Sequence, residues 1–355
     1  MLYENHLTTS LQIINPGIST TVQDRGRFGF RSQGVSPCGA MDHWSFCLLN
    51  LLLNQDAHTP TLEVEGGGLE LLVNGELMFA VVGGMPHLLL NQTPLPHGRV
   101  YWARTGDKIH IPYLRKGIRT YFGVFGGFRV PKVMGSASTD RKAKIGRPPL
   151  SRGDTLECSA PKAPVGLVAR SIPSPLWNIP EEVQSIRVIR GVDLHRFPRR
   201  SVRSFFRQPF QITDRIDRTG YTLRGEQPIR IKRKEFLSEG IAFGTIQVPP
   251  SGTPIICMAD APSSGGYPRI AQVIQADCSL IAQMKPGQKI VFHAVRLEDA
   301  LSINKEREIQ KAILQKSWKR DIPDAKRYAR WFRLLCDGKF YELGIQRIDP
   351  KRGGS

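Results

Sequence analysis

The sequence predicts a mainly β protein built in two units, with a few short helices and a helical C-terminal extension. Three observations carry this. Apolar runs of strand length recur between residues 61 and 128 with Gly, Pro, Asn and Asp between them (TLEVEGGGLELLV, ELMFAVVGG, HLLLNQTPL, KIHIPYL, GIRTYFGVFGGF), the spacing of a barrel or sandwich. A chain of 355 residues with 40% apolar content can bury a large core and exceeds the usual size of one domain. Between two β-rich blocks, residues 159–185 carry five prolines and read as a linker. The expected organisation is a first unit over 11–158, a Pro-rich linker over 159–185, a second unit over 186–297 and a basic helical extension over 298–355.

Residues 11–35 open with an apolar strand broken at Pro16-Gly17, then a second strand ending at Asp24-Arg25-Gly26. Asp42 is placed to cap a helix in which Trp44, Phe46, Leu48, Leu49, Leu51, Leu52 and Leu53 make most of the circumference apolar, so that helix should be buried. The second block begins with the strand IRVIRG at Ile186 and passes through a basic, aromatic segment to QITDRIDRTGYTLRG. Beyond Glu298, Leu301, Ile309, Ile313 and Leu314 lie near helical spacing among alternating charges. The basic and aromatic stretch after Pro323 reads as a further amphipathic helix covering a barrel, or as a contact surface.

The most unusual chemistry lies between Phe236 and Asp277. GTIQVPPSGTPIICMAD reads as a hairpin, its β-branched residues flanking Pro249-Pro250-Ser251-Gly252. Ser263, Ser264, Gly265, Gly266, Tyr267, Pro268 and Arg269 then supply hydroxyls, permissive backbone, an aromatic face and a guanidinium. Such a set suits an anion cradle, since glycines expose N–H groups and arginine binds carboxylate or phosphate in bidentate fashion. A Gly-rich turn beside a surface arginine is the other reading.

Six cysteines (Cys38, Cys47, Cys158, Cys257, Cys278, Cys336) form no C-x-x-C pair, so neither a zinc site nor a disulfide framework is indicated, and reduced thiols in the cytoplasm are expected. No basic start followed by an apolar run marks the N-terminus, and no apolar stretch is long enough for a membrane span. Net charge is +19, concentrated in residues 186–240 (14 Lys/Arg against 6 Asp/Glu) and 301–355 (14 against 7). This clustering marks either an acidic partner or solvated faces. No nucleic-acid module accompanies it, so nucleic acid is not the expected partner.

Several of these segments carry motifs. The opening (Gly17, Thr20 to Asp24, Gly26, Arg27, Gly29, Gly34, Val35), the helix start (Gly39, Met41, Asp42, Asn50, Asn54), Glu63 in LEVEGGG, VMGSASTD, the Arg218-to-Gly225 segment, and Ser238-Glu239-Gly240 through Ile246 to Pro250 and Asp260 resemble the biotin-dependent carboxyltransferase-like family, whose branches include the C-subunit of 5-oxoprolinase, allophanate hydrolase subunit 2 and the sporulation kinase-inhibitor antagonist. The resemblance spans about residues 11–297. The chain departs from it at Pro262, where the family has Gln, at Ser263-Ser264 for Thr-Thr, at Arg269 for Lys, and in a shortened, basic loop after Asp140.

The resemblance implies two cyclophilin-like β barrels in tandem. It implies a component of an ATP-dependent 5-oxoprolinase that opens 5-oxoproline to L-glutamate with a homologous small subunit and a lactam-cleaving third subunit. Carboxyl transfer to urea or another amide, or non-catalytic binding of the small subunit, are the alternatives it leaves open. ATP with Mg²⁺ is implied, and without a Walker A motif it would need a different cradle. Covalent biotin is not expected, because Gln283-Met284-Lys285 lacks the following Met. From residue chemistry, Arg25, Arg218 and Arg269 are candidates for carboxylate and phosphate, with Gln247, Ser263, Ser264, Gly265, Gly266 and Tyr267 beside Arg269. Asp42, Glu63 and Asp260 are candidate bases or Mg²⁺ ligands.

Overall fold

A computed structural model describes residues 9–85, 87–159, 167–168, 170–177, 179–232, 236–321, 330–336 and 339–345. Part of the expected linker (160–166, 169 and 178) lies outside the described residues. The strands of the N-terminal half are β1 (Ser10–Pro16), β2 (Ser19–Gln23), β3 (Thr61–Glu65), β4 (Leu69–Asn74), β5 (Leu77–Met85), β6 (Leu88–Leu90), β7 (Thr93–Leu95), β8 (Val100–Ala103), β9 (Lys108–Ile111), β10 (Lys116–Val124) and β11 (Thr155–Glu157). They form a six-stranded sheet, β11-β1-β4-β9-β6-β7, and a five-stranded sheet, β2-β3-β10-β5-β8. Leu11, Ile13, Leu71 and Ile109 of the first meet Val22, Leu62, Val64, Phe79 and Phe122 of the second in one core. Alternation explains the six-stranded sheet: β4 buries Leu69, Leu71 and Val73 and turns Glu70, Leu72 and Asn74 outward.

The C-terminal half contains β12 (Val183–Arg190), β13 (Phe210–Ile216), β14 (Gly220–Gly225), β15 (Glu239–Gly240), β16 (Thr245–Gln247), β17 (Ile255–Cys257), β18 (Ser264–Gly265), β19 (Arg269–Val273) and β20 (Lys289–Ala294). Seven of these close into a barrel in the order β12-β19-β16-β17-β14-β13-β20, sealed by a parallel β12–β20 pair. The expected hairpin is present as β16 and β17, with Ile246 opposite Ile256. Phe205, Phe210 and Phe292 fill one end of the barrel, the Phe205 and Phe292 rings stacked at 4.7 Å.

Among the described residues four α-helices complete the fold: α1 (His43–Leu52), α2 (Arg199–Phe205), α3 (Gln275–Ala282) and α4 (Leu297–Asp321). Asp42 caps α1 as expected, accepting from the Ser45 backbone N–H at 3.0 Å. The helix is buried against the five-stranded sheet, and Leu314 and Trp318 of α4 join the same cluster. The extension differs from expectation beyond Pro323: Arg330–Cys336 and Lys339–Ile345 are strands β21 and β22 of an antiparallel hairpin, not a helix. The sequence signal was Asp337-Gly338 between two aromatic runs, which favours a hairpin over a helix. Among the described residues no helix is long and apolar enough to cross a membrane.

The two halves share a seam. Met41, from the loop before α1, lies in the core of the C-terminal barrel, and Trp44 N–H donates to Ser279 Oγ of α3 at 3.0 Å.

Candidate active site

The seam is built on charge. Glu63 sits on β3, where both neighbours in the sheet bury it. Arg218 occupies the turn between β13 and β14, and Asp260 follows β17. Arg218 clamps Asp260 through Nε (2.9 Å) and Nη2 (2.8 Å), donates from Nη1 to Glu63 Oε1, and donates from Nη2 to the Gly39 carbonyl at 2.6 Å. Glu63 Oε2 accepts from the Met41 backbone N–H at 2.8 Å and from the Tyr121 hydroxyl at 2.6 Å. Arg119, fully buried on β10, lies 3.7 Å from Glu63 Oε1, pairs with Glu65 at 2.6 Å, and donates to the Tyr221 hydroxyl and the Ala282 carbonyl, each at 2.6 Å. Charges this deep persist only when paired and hydrogen-bonded.

Asp42 joins through Gln283. The amide nitrogen of Gln283 donates to Asp42 Oδ2 at 2.7 Å and to the Arg119 carbonyl at 2.8 Å, and its oxygen accepts from the Ile118 and Arg119 backbone N–H groups at 3.1 Å. The structure therefore brings Asp42, Glu63, Arg218 and Asp260 into one network joining both halves.

The three candidate bases differ in their electrostatics. Burial alone would raise Glu63, but Arg218 and Arg119 outweigh it and hold the carboxyl below its ordinary range. Glu63 is thus a fixed anion. Burial pushes Asp42 up against its hydrogen bonds from Gln283 and Ser45. Asp260 is also pushed up by burial, against the opposing pull of Arg218. Of the three, Asp260 is nearest the surface, in the segment that forms the mouth of the seam.

That mouth is shaped by the opening motif. Asp24 accepts from the Ser136 and Ser138 hydroxyls (both 2.6 Å) and the Ala137 and Gly26 backbone N–H groups (both 2.7 Å), so the 136–139 loop is folded around it. Gly39, at φ +89°, lets its own loop approach Arg25: a Cβ there would sit 2.7 Å from the Arg25 carbonyl oxygen. Arg31 reaches across to the Ile241 and Ser263 carbonyls, and Ser36 Oγ donates to the Ala261 carbonyl at 3.0 Å. These contacts gather Arg25, Ser263, Cys38 and Asp260 at one end of the seam. The Arg25, Arg141, Lys142 and Lys144 side chains there are exposed. Cys38 Sγ donates to Asp140 Oδ2 at 3.3 Å, and burial with two nearby carboxylates pushes its pKa far up, so it is no nucleophile.

The Gly-rich heptad is placed beside this end but is differently engaged. Arg269 pairs through Nε with Asp193 at 2.7 Å, donates to Glu239 and to the Gly240 carbonyl at 3.0 Å, and so spends its guanidinium within the protein. Ser264 and Gly265 form the short strand β18 against β15. Gln247 donates to the Tyr267 carbonyl at 3.1 Å, and a Cβ at Gly265 would meet its amide at 2.5 Å. Gly266 is half-buried and Tyr267 exposed. Of the three candidate cations, only Arg25 stands without an ion pair among the described residues.

Sequence reasoning missed Arg119, Tyr121 and Gln283. A charged residue inside the apolar run GIRTYFGV was the available signal for Arg119. Gln283 gave none, since its partners lie more than 160 residues away.

Residues 33–294 match the family described as carboxyltransferase domain, subdomain A and B. The chain is 37% identical to the C-subunit of 5-oxoprolinase from Escherichia coli strain K12 over 312 residues, covering 87% of this chain and 98% of that protein. It is 35% identical to the Haemophilus influenzae protein of the same name, covering 84% and 96%. Among solved structures it resembles the K. lactis urea amidolyase, with a TM-score of 0.78 at 25% identity, over 88% of this chain and 20% of that one.

Proposed function

Because this chain belongs to the carboxyltransferase family of subdomains A and B, we propose that it is the C-subunit of a cytoplasmic ATP-dependent 5-oxoprolinase. With a homologous small subunit and a lactam-cleaving third subunit, it opens 5-oxoproline to L-glutamate. The observation that carries the reading is the Glu63–Arg218–Asp260 clamp beneath a cationic mouth. Likeness to the two 5-oxoprolinase proteins over most of the chain supports it.

In this reading the exposed guanidinium of Arg25 binds the substrate carboxylate. Hydrolysis adds a water oxygen to the ring carbonyl carbon, breaks the ring C–N bond and puts a proton on nitrogen. Asp260, raised by burial and anchored by Arg218, is suited to move that proton. Glu63 keeps Arg218 in place. Arg141, Lys142 and Lys144 are exposed cations that fit nucleotide phosphates. Among the described residues no cluster of three or more His, Cys, Asp or Glu is arranged for a metal, so Mg²⁺ fits as an ion carried by phosphates with one or two carboxylates. When bound, ATP would supply the phosphoryl group that makes the ring carbonyl carbon a better electrophile, and a second water would release that phosphate once the ring C–N bond has opened.

The test is 5-oxoproline-dependent ATP hydrolysis and glutamate release by the reconstituted complex. Asp260→Asn should lower turnover at least ~100-fold without dissolving the complex. Undiminished turnover would remove Asp260 from the chemistry. A second reading, an amide substrate of the urea type, is favoured by the likeness to the urea amidolyase fold. It predicts urea- rather than 5-oxoproline-dependent turnover in the same assay. A stable complex inert towards both would point instead to a regulatory role.

A further inference from the structure

A concentration of cationic side chains without ion-pair partners among the described residues lies away from the seam, on the outside of the C-terminal barrel. Arg199, Arg200 and Arg203 of α2, Arg207 just after it, and Arg215, Arg224 and Arg230 are all exposed. None has an ion-pair partner among the described residues, whereas Arg187, Arg196, Arg218 and Arg269 of the same half are each matched to carboxylates, and Arg190 lies over the Phe206 ring at 5.6 Å.

The surface is continuous. Gln208, three residues beyond α2, exchanges hydrogen bonds with Gln227 (3.0 and 2.9 Å), and the Arg230 backbone N–H donates to Ser201 Oγ at 3.2 Å. The helix is thereby fastened to the 225–230 segment. That segment walls a groove of about 500 Å³ whose lining includes Thr213, Asp214, Arg215, Thr222, Arg224 and Thr253. The groove exists because the β13–β14 ladder is interrupted between Ile212 and Ile216. At that bulge Thr213 Oγ donates to the Thr222 carbonyl at 3.0 Å, and the Arg215 N–H donates to Thr213 Oγ at 3.2 Å.

We propose that this face is a docking surface for an acidic protein segment, its carboxylates received by the α2 arginines and by Arg215 and Arg224 in the groove. Guanidinium forks match carboxylate geometry, and the groove adds hydroxyls that accept or donate. Two observations favour protein over nucleic acid. None of the exposed large apolar or aromatic side chains among the described residues falls between Arg199 and Lys232, so no stacking face for bases is offered. Asp214 in the groove and exposed Glu226 in the adjoining segment give the surface a mixed-sign pattern, which a protein segment with its own cations can match and a uniform phosphate backbone cannot. The proposal does not depend on the reaction assigned to the seam.

The experiment is a fluorescence-anisotropy titration of the full chain with a labelled oligoglutamate peptide and, separately, with a DNA duplex of equal charge, across a salt series. A patch variant, R199A/R203A/R215A/R224A, is compared with R104A/K108A/R115A/K116A, which removes the same charge from exposed positions of the N-terminal half. All eight side chains are exposed, and circular dichroism melts check that both variants fold. The patch variant should bind the peptide about tenfold or more weakly, the control within about twofold of wild type. Equal losses in both variants would mean that net charge alone is at work and overturn the proposal. So would failure of the wild type to bind the peptide, or tighter binding of the duplex than of the peptide with loss in the patch variant.

Discussion

Replacing Arg218 with Met removes a side chain that touches both Glu63 and Asp260 while keeping most of its volume. The consequences follow from the partners left behind. Glu63 retains the Met41 N–H, the Tyr121 hydroxyl and Arg119 at 3.7 Å, so it stays ionised, but with less of its desolvation offset than in wild type. Asp260 loses both short contacts from Arg218 and, already raised by burial, takes up a proton. Breaking a buried pair by removing one partner costs about 3–5 kcal/mol, which for a cooperative unit of this kind lowers Tm by roughly 6–15 °C. Thermal and urea unfolding of the R218M variant measure it directly. A double-mutant cycle with Glu63→Gln should show coupling of at least ~1 kcal/mol, because the second change removes the anion whose pairing the first weakened. If R218M melts within about 2 °C of wild type, the clamp does not hold the two halves together and the argument for the seam fails.

Three further outcomes are expected. Asp42 has its folded pKa raised by burial, so its contribution to stability is complete below the unfolded carboxylate pKa and is lost as pH rises through the folded value; Asp42→Asn, which keeps the cap, should therefore gain on wild type as pH is raised, and a pH-independent difference between their urea midpoints would contradict this. Gly39→Ala places a Cβ against the Arg25 backbone at positive φ and should destabilise by about 1–3 kcal/mol, read as a lowered urea midpoint with unchanged m value. Trp318 is 5% exposed, stacks on Arg170 at 5.3 Å and donates to the Ser171 carbonyl at 3.0 Å; Trp318→Ala should cost about 3 kcal/mol and loosen hydrogen-exchange protection in α4 before the barrel, whereas unchanged protection would show that α4 is held by other contacts.

Much of the architecture was legible because strands and turns announce themselves locally. Alternation in β4, the Asp42 cap and the Pro-Pro-Ser-Gly turn between β16 and β17 each depend on residues a few positions apart. The hairpin of β21 and β22 is equally local in its Asp337-Gly338 signal, but the interleaved basic and aromatic residues around it also fit an amphipathic helix. Glu63, Arg218 and Asp260 were found as residues of shared motifs, and their membership said nothing about whom they face.

The sequence by itself determined the strand-rich composition, the turn positions, the capped apolar helix and the chemical types available at each motif. Only tertiary structure decided that Arg218 lies between carboxylates from both halves, that Arg269 is spent on Asp193 and Glu239, that Arg25 has no ion pair among the described residues, and that Gln283 ties Asp42 to Arg119. The reason is range. Turn and strand preferences act over neighbouring residues, whereas a guanidinium is neutralised by whichever carboxylate folding places within about 3 Å. Here that partner is 155 residues away in the case of Arg218 and Glu63.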